Sequence, residues 1–340
     1  MFVLTLLLHQ EDCSSLWNEY FPGFQPSTSY LNHNEQIKRD SSKNKENYII
    51  CDCCFSKMED TPVYIFAIGL RNTNKVRILI AKSEFKENFV KPYSIEDYAP
   101  VSTIGFYGIG DIVLHQISIL NTKTDQHLYK GAYGEGTAYF TLSLQCTVNQ
   151  IATSYCDPNY NGGSTVYNYA FGKFDFTSSN VTSNNALHQA GYQLNVKSEE
   201  QGKISCLILK NNTSKRNNVC SNKGNILIKN SVFTRNNLVG DGSSIIEADE
   251  KGSTLTISNC FIANNNDRVS ISNKNPSFTV IVEDSIVDSR IDGVVQSDRI
   301  TNIGLMRICD IEYIALPKPT EVYVQKRKIC QLMLIFILFT

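Results

Sequence analysis

The sequence predicts a right-handed parallel β-helix, a solenoid of short strands, with roughly nine to ten coils. Three observations support this prediction. One short template of apolar and polar positions recurs along the chain, and asparagine and serine, which suit tight turns, are abundant. The hydrophobic fraction of 42% is sufficient for a core, although only 19% of the residues are charged. An ordinary β-sandwich is the alternative, because its strands also follow one another closely.

The template is clearest in two segments that align without a gap, residues 225–237 and 254–266. We call the residue before the small Ser or Cys the anchor, which is Asn230 in the first segment and Asn259 in the second. Apolar residues stand two and four positions before the anchor, a small residue one after it, an apolar residue three after it and an asparagine six after it. Such alternation is typical of a strand with one buried face.

Further copies of the template extend over most of the chain. They are centred on Asp52, Lys82, Gln116, Ser178, Asn211 and Asp284, with blurred copies in 140–148 and 303–314. The copy at Asn211 uses Leu207 and Leu209 as its apolar pair and Asn217 as its final asparagine. One copy cannot bury its apolar face alone, so we expect the copies to stack about 4.8 Å apart and pair every strand edge.

Stacking would place like residues above like residues in ladders that run along the solenoid. The apolar ladders contain Ile228, Ile257 and Val282, then Phe233, Ile262 and Val287; the Ser/Cys ladder contains Ser231, Cys260 and Ser285; and the asparagine ladder contains Asn236 and Asn265. Stacked asparagine side chains can bond along the axis. A sandwich does not require a small residue and an asparagine at fixed offsets, so the β-helix is favoured.

The predicted organisation has five parts. They are a candidate signal segment at 1–12, an N-terminal cap and polar loop at 13–46, the parallel β-helix at 47–314, a linker at 315–328 and an apolar tail at 329–340. A solenoid needs its ends covered. We therefore expect the cap aromatics to plug the first coil; these are Trp17, Tyr20, Phe21 and Phe24.

The apolar tail is either a truncated membrane anchor or only a hydrophobic end. As a helix its twelve residues, 329–340, reach about 18 Å, whereas the hydrocarbon core is roughly 30 Å thick. The basic residues at 326–328 would also lie on the wrong side of the membrane for an exported domain. Membrane attachment through the tail and its absence both remain open.

Charge and cysteine content exclude several classes of partner. The net charge is −1, from 32 basic and 33 acidic residues, so nothing favours nucleic acid. The 11 cysteines are odd in number, and Cys51, Cys53 and Cys54 match no zinc pattern. We expect mainly buried thiols, which behave as small hydrophobes, and no metal or cofactor.

The repeat resembles the right-handed β-helix of the pectin-lyase-like superfamily, and more narrowly the polymorphic-outer-membrane-protein type of repeat found in surface proteins of parasitic protists. The family's Phe-x-x-Asn motif is matched by 85–88 and 233–236, and loosely by 181–184 and 262–265. Its companion motif, Gly-Gly-Ala-Ile, is absent. The resemblance covers about 47–314 and implies a surface-exposed or exported protein with an adhesive role and no assigned chemistry.

Enzymes of the same superfamily make a polysaccharide lyase or hydrolase the first alternative. Their polygalacturonase-like signatures are missing, and no adjacent Asp-Asp pair occurs. Such enzymes need two carboxylates on one face. Asp267 and Asp292 each lie eight residues after an anchor and are weak catalytic candidates, although two solvated turn carboxylates are the favoured interpretation. We expect surface or loop positions for the histidines, namely His9, His33, His115, His127 and His188.

Glycosylation would support export, and Asn180 and Asn211 each begin an acceptor motif. Asn212 also begins one, but the template places it inward. The leading hypothesis is a non-enzymatic surface or secreted β-helix that presents an adhesion surface to a glycan or to a host or cell-surface protein. The second alternative is a degenerate member of an expanded surface family with little function of its own.

Overall fold

The computed structural model describes residues 12–298, apart from 41–45, 68–74, 91–101, 125–135, 158–163, 198–200, 216–217, 241–243, 249–252, 267–268, 274, 276–277, 289 and 293–294. These residues form one helix and a stack of parallel β-strands, which confirms the predicted all-β parallel β-helix. Residues 1–11 of the candidate signal segment, the linker, the apolar tail and the blurred copy at 303–314 lie outside the described residues.

The first sheet contains one strand from every coil, and each strand pairs in parallel with those of the coils before and after it. Its strands are β1 (Thr28–Leu31), β3 (Tyr48–Cys51), β6 (Val76–Ala81), β10 (Gly110–Leu120), β13 (Gln145–Ser154), β15 (Phe174–Thr182), β18 (Gly202–Lys210), β21 (Ile226–Lys229), β25 (Thr254–Ser258), β28 (Thr279–Glu283) and β31 (Val295–Asp298). Short strands continue five of these coils beyond a bend: β4 (Cys54–Ser56), β7 (Glu84–Lys86), β22 (Val232–Thr234), β26 (Phe261–Ala263) and β29 (Ile286–Val287).

The second sheet faces the first across the core and has ten strands. They are β2 (Ile37–Asp40), β5 (Val63–Ala67), β9 (Ile104–Gly108), β12 (Gly136–Ser143), β14 (Ser164–Ala170), β17 (Gln189–Val196), β20 (Cys220–Lys223), β24 (Ile246–Ala248), β27 (Val269–Asn273) and β30 (Arg290–Asp292). Two small sheets complete the coils: β8 (Phe89–Val90) with β11 (Lys123–Thr124), and β16 (Asn185–Ala186) with β19 (Thr213–Ser214) and β23 (Asn237–Leu238). Ten coils therefore contribute to both large sheets.

The β-helix begins earlier than residue 47. β1 pairs in register with β3, so the segment assigned from the sequence to a cap and polar loop already contains the first coil. That coil escaped the template because Thr28 and Tyr30 stand where aliphatic residues stand in later coils, and both are only half-buried.

Left-handed backbone conformations mark two bends in successive coils. The first series has positive φ at Asn32, Asp52, Lys82, Gln116, Gln150, Ser178, Cys206, Asn230, Asn259 and Asp284. The second series follows five residues later, at Lys57, Glu87, Asn121, Tyr155, Ser183, Asn211, Arg235 and Asn264. Asn and Asp adopt this conformation more readily than other non-glycine residues, which explains why they are frequent at the anchors.

One correction concerns the copy centred on Asn211. Register pairs Ser179 with Leu207 and Ser205 with Lys229, so the first bend of this coil is at Cys206 and Asn211 is its second bend. The template slipped because this coil carries Leu207 where neighbouring coils carry Ser or Cys. Its ladder asparagine is consequently Asn212 rather than Asn217, which lies outside the described residues.

The aliphatic ladder lies in the core of the first sheet. Ile228 pairs with Ile257, and Ile257 pairs with Val282. All three side chains are fully buried. Phe233 and Ile262, fully buried as well, stack above one another, while Val287 at the next level is partly buried against the core.

The Ser/Cys ladder bonds the backbone at the first bend. The Ser231 hydroxyl donates to the carbonyl of Lys229 at 2.8 Å and accepts the amide of Leu207 in the preceding coil at 3.1 Å. Ser285 repeats the pattern by accepting the amide of Cys260 at 3.0 Å. The small residue therefore satisfies buried polar groups that the bend would otherwise leave without a partner.

The asparagine ladder does the same at the second bend. The Asn212 side-chain oxygen accepts the backbone amide of Asn184 at 3.0 Å, and its amide nitrogen donates to the carbonyl of Val181 at 2.8 Å. Asn236 and Asn265 repeat both contacts one and two coils later. Each asparagine thus supplies the hydrogen-bond partners of a backbone amide and a backbone carbonyl in the coil before it.

We predict that Asn212→Ala lowers the free energy of unfolding by about 2–6 kcal/mol. The substitution leaves the amide of Asn184 and the carbonyl of Val181 buried without their partners, at about 1–3 kcal/mol each. Urea unfolding followed by far-UV circular dichroism measures the effect. The matched control is Asn266→Ala, whose side chain bonds only at the surface, to Asn237. Equal destabilisation by both variants would contradict a structural role for the buried ladder.

Candidate functional site

The two carboxylates proposed from the sequence are Asp267 and Asp292. Register pairs the backbone of Asp292 with that of Ser272 in the preceding coil, and Asp267 lies outside the described residues. Their stacking on adjacent coils therefore stays a prediction.

The two glycosylation candidates differ in accessibility. Asn211 is exposed at the second bend of its coil. Asn180 is buried in β15, with 8% of its surface exposed, and its side-chain oxygen has no hydrogen-bond partner. Asn212 is fully buried in the asparagine ladder, as its predicted inward position implied. Of the three asparagines, only Asn211 offers an accessible amide in the folded chain.

The N-terminal aromatic segment lies beside the β-helix, where the sequence had suggested a plug in the first coil. Helix α1 (Cys13–Tyr20) packs on the outer face of the first sheet, where Leu16 and Trp17 are buried against outward-facing residues of β3, β6 and β10. Those outward residues are Ile49, Cys51, Leu79, Ala81 and Val113. An outer face in contact with solvent would be polar, so these apolar residues require another element to cover them.

Local sequence explains where α1 begins and ends. The Asp12 side chain accepts the backbone amide of Ser15 at 2.6 Å, a standard N-terminal cap. After the helix, Phe21-Pro22-Gly23-Phe24 forms a turn in which the Phe24 amide donates to the carbonyl of Phe21 at 3.2 Å. Gly23 has φ +80°, which a type II turn requires at its third residue, with Pro preferred at the second.

A disulfide joins the helix to the sheet. Cys13 and Cys51 are bonded, and Asp52 lies beside them with its Oδ2 3.2 Å from the Cys13 sulfur. Cross-linking residues 38 apart in sequence restricts the unfolded chain by about 4 kcal/mol. Two sulfurs that are bonded to each other cannot act as thiolate ligands, so this grouping of Cys13, Cys51 and Asp52 is a covalent attachment rather than a metal site.

The other cysteines fit the expectation of buried thiols more closely. Six cysteines of the described residues are free, and Cys54 alone among these is exposed. Burial raises the pKa of Cys146, Cys156 and Cys260 to about 12, which keeps these thiols protonated and unreactive. Cys206 is disulfide-bonded, so the expectation of mainly free thiols is corrected at Cys13, Cys51 and Cys206.

A cleft of about 230 Å³ opens between the end of α1 and the outer face of the first sheet. The aromatic side is formed by Tyr20, Phe21, Pro22 and Phe24, and the sheet side by Arg77, Asp111, Ile112, Val113, Gln145 and Thr147. Trp17 fixes the aromatic side, because its indole N–H donates to the carbonyl of Phe24 at 2.8 Å. We call this space the N-terminal cleft.

Three polar side chains of the cleft come from equivalent positions in consecutive coils. Asp111 of β10 pairs with Arg77 of β6 on one side and with Gln145 of β13 on the other. Strand spacing in a sheet puts such neighbours about 4.8 Å apart. The sheet therefore presents a cation, a carboxylate and an amide in a row.

Asp111 is the unusual member of this row. Its Oδ1 is buried and has no hydrogen-bond partner. Desolvation raises the pKa of the Asp111 carboxyl, while the positive charges of Lys75 and Arg77 act in the opposite direction. Arg77 does not neutralise it by close pairing, since the guanidinium carbon lies 3.3 Å from the centre of the Phe24 ring. The carboxylate keeps capacity to accept hydrogen bonds from a ligand.

A polar chain adjoins the cleft on the same face. The Tyr20 hydroxyl lies 3.0 Å from Nδ1 of His115, Asn149 lies 3.3 Å from the same nitrogen, and Thr177 donates to Asn149 at 3.1 Å. Burial, together with the positive charge of Lys82, lowers the pKa of His115 to about 4, so its imidazole is neutral near pH 7. His115 is thus a buried contact of α1 rather than the surface residue expected from the sequence.

The arrangement suits binding better than proton-transfer chemistry. Asp111 and His115 lie on one strand, four residues and about 13 Å apart, with the side chain of Val113 between them on the outer face. Asp111 is the one acidic residue among those that line the cleft, whereas sugar-cleaving enzymes use a pair. The cleft offers hydrogen-bonding groups on one side and aromatic surface on the other.

Sequence reasoning missed this site, although a signal for it was present. Tyr48-Ile-Ile-Cys51 and Ile78-Leu-Ile-Ala81 are continuous apolar runs without alternation, a pattern typical of strands covered on both faces. The adjacent Pro22-Gly23 pair also predicts a tight turn between two aromatic residues. Together these features indicate that the aromatic segment covers the outside of the sheet.

Comparison of the chain with protein-family models gives no match, and no curated protein is detectably similar in sequence. The resemblance to pectin-lyase-like surface repeats therefore stays a prediction from the motifs. Among the residues that the structure describes, no helix has both the length and the apolar character needed to cross a bilayer.

We predict that removing the disulfide loosens α1. In the double variant Cys13→Ser with Cys51→Ser, the loss of about 4 kcal/mol of chain restriction should let the helix detach more often. The chain has one tryptophan, Trp17, which is 2% exposed, so its emission should shift to longer wavelength and its quenching by acrylamide should increase. Cys54→Ser, at an exposed free thiol, is the control. Unchanged quenching in the double variant would show that packing alone holds the helix.

We also predict that acid weakens the fold through His115. The unfolded imidazole binds a proton below its usual pKa of 6.5, whereas the folded one resists protonation down to about 4. The stabilisation that neutral His115 contributes to the free energy of unfolding is therefore fully present above pH 6.5. It is lost as the pH falls toward 4, by at most about 3 kcal/mol. Urea unfolding of the wild type and of His115→Gln from pH 4 to 7.5 tests this, because their other titrating groups are shared. A pH-independent difference between the two proteins would refute it.

Proposed function

We propose that this chain is a non-enzymatic β-helix of the cell surface or the extracellular space, which binds a glycan or a surface protein along its lateral face. The observation that carries the proposal is the N-terminal cleft, where a desolvated carboxylate without a partner lies next to aromatic surface on a rigid sheet. Concave sites with a few convergent polar groups are the usual places for ligands.

Cysteine chemistry supports the proposed location. Cys13–Cys51 and the disulfide of Cys206 require an oxidising compartment, and disulfides are characteristic of secreted and surface proteins. The exposed acceptor motif at Asn211 is compatible with the same route. Neither feature depends on the family resemblance.

The lateral face beyond the cleft supports an interaction role as well. Away from α1, outward positions of the first sheet become polar, as Asp175 and Lys203 show at successive coils. Asp175 is paired with Lys173, their side-chain atoms being 2.8 Å apart. A partner lying along the axis would meet similar polar contacts at each coil, and modest contacts repeated in this way add up to affinity.

We predict that the intact protein binds cell surfaces saturably and that blocking the cleft weakens this binding. Gln145→Arg places a long charged side chain at the exposed edge of the cleft and should reduce the affinity of fluorescently labelled protein at least threefold. Val239→Arg is the matched control, since Val239 is 61% exposed and distant in sequence from the cleft residues. Periodate or trypsin treatment of the cells distinguishes a glycan from a protein partner.

Two results would contradict this function. The first is the absence of saturable binding by the wild type. The second is cleavage of uronate or other polysaccharides by the purified chain, which would support the enzyme alternative, most directly if Asp292→Ala abolished it.

A further inference from the structure

The N-terminal cleft contains an acceptor that the folded chain does not satisfy. Burial of a carboxylate oxygen without a hydrogen-bond partner is unfavourable, and Asp111 Oδ1 is in that position. Its neighbours in the row do not supply the missing hydrogen bond, because Arg77 lies over the Phe24 ring and Gln145 is exposed. Asp111 as a whole is only partly buried and lines the cleft, so a ligand there can approach its carboxylate and donate hydrogen bonds that the folded chain does not supply.

Charge around Asp111 restricts what such a ligand can be. Lys75 and Arg77 act on the carboxyl as positive charges, so a cationic group approaching Asp111 would meet both. An anionic group would be repelled by Asp111 itself. A neutral ligand that both donates and accepts hydrogen bonds avoids each penalty, and hydroxyl groups have this property.

The other side of the cleft requires apolar surface on the same ligand. Pro22 and Phe24 on this side are exposed, Phe24 by 43% even with the Arg77 guanidinium over its ring. The volume of about 230 Å³ is below the roughly 300–1,000 Å³ of pockets that hold drug-sized molecules. One six-membered ring with hydroxyls on its edge and C–H groups on its face meets both requirements.

We propose that the N-terminal cleft is a subsite for a single neutral pyranose unit of a glycan. Asp111 accepts from adjacent sugar hydroxyls, Arg77, Gln145 and Thr147 complete the polar contacts, and the aromatic side packs on the C–H face of the ring. This assignment rests on the proposed binding function and narrows it to one ligand class and one place.

The test uses the intact protein and a panel of free neutral monosaccharides, namely glucose, galactose, mannose and their N-acetyl derivatives. Saturation-transfer NMR should detect at least one of them at millimolar concentration. Asp111→Asn, which keeps the shape but loses the charge, should weaken its binding at least tenfold. Gln145→Ala should weaken it about threefold. The control Asp60→Asn, at an exposed carboxylate that does not line the cleft, should bind as the wild type does.

Several outcomes would overturn the assignment. These are no transfer to any neutral pyranose, undiminished binding by Asp111→Asn, or preferential binding of a lysine-rich peptide or of free sulfated or uronic sugars. Parallel measurement of cell binding separates the two claims. If Asp111→Asn and the wild type bind cells equally while no monosaccharide binds, the pyranose subsite is wrong and the lateral-face function stands. If neither protein binds cells but the wild type binds a monosaccharide, the subsite stands alone.

Discussion

Every coil of this protein depends on hydrogen bonds to the coils on either side, so equivalent positions must be maintained from one coil to the next. The two left-handed bends are where this constraint is most demanding, because backbone groups turn away from the ladder there. Buried side chains replace the missing partners: serine or cysteine after the first bend and asparagine after the second. In this fold the small polar residues are therefore as structural as the aliphatic ones.

The same constraint explains where a ligand site can form. Residues that point outward from the first sheet repeat at each coil and are held in rows by the paired backbone. In the first coils these rows contain apolar residues such as Leu79 and Val113, which attract α1, and beside them the polar row of Arg77, Asp111 and Gln145. The cleft arises at the boundary between the two kinds of row. Its sheet side is rigid because the backbone there is paired on both edges.

The sequence predicted the solenoid because its signal is repeated many times, so an error in one copy does not change the conclusion. Single positions were less secure. The template favours Asn211 over Cys206 because Leu207 and Leu209 imitate the apolar pair of a strand, and only strand register distinguishes the two positions.

The cleft could not be predicted from the repeat, because it is formed by a segment outside the repeat packing on one side of it. What makes Asp111 notable is not its residue type but the burial of its Oδ1 without a hydrogen-bond partner, which the repeat pattern does not reveal. The disulfide from Cys13 to Cys51 and the burial of Trp17 stabilise that placement, and they offset the cost of keeping Asp111 and His115 away from water. A folded protein can keep such an unfavourable burial of polar groups only where the favourable free energy of its other contacts is larger. The end of α1 and the turn after it form one side of the cleft, so release of α1 would dismantle the cleft rather than open it.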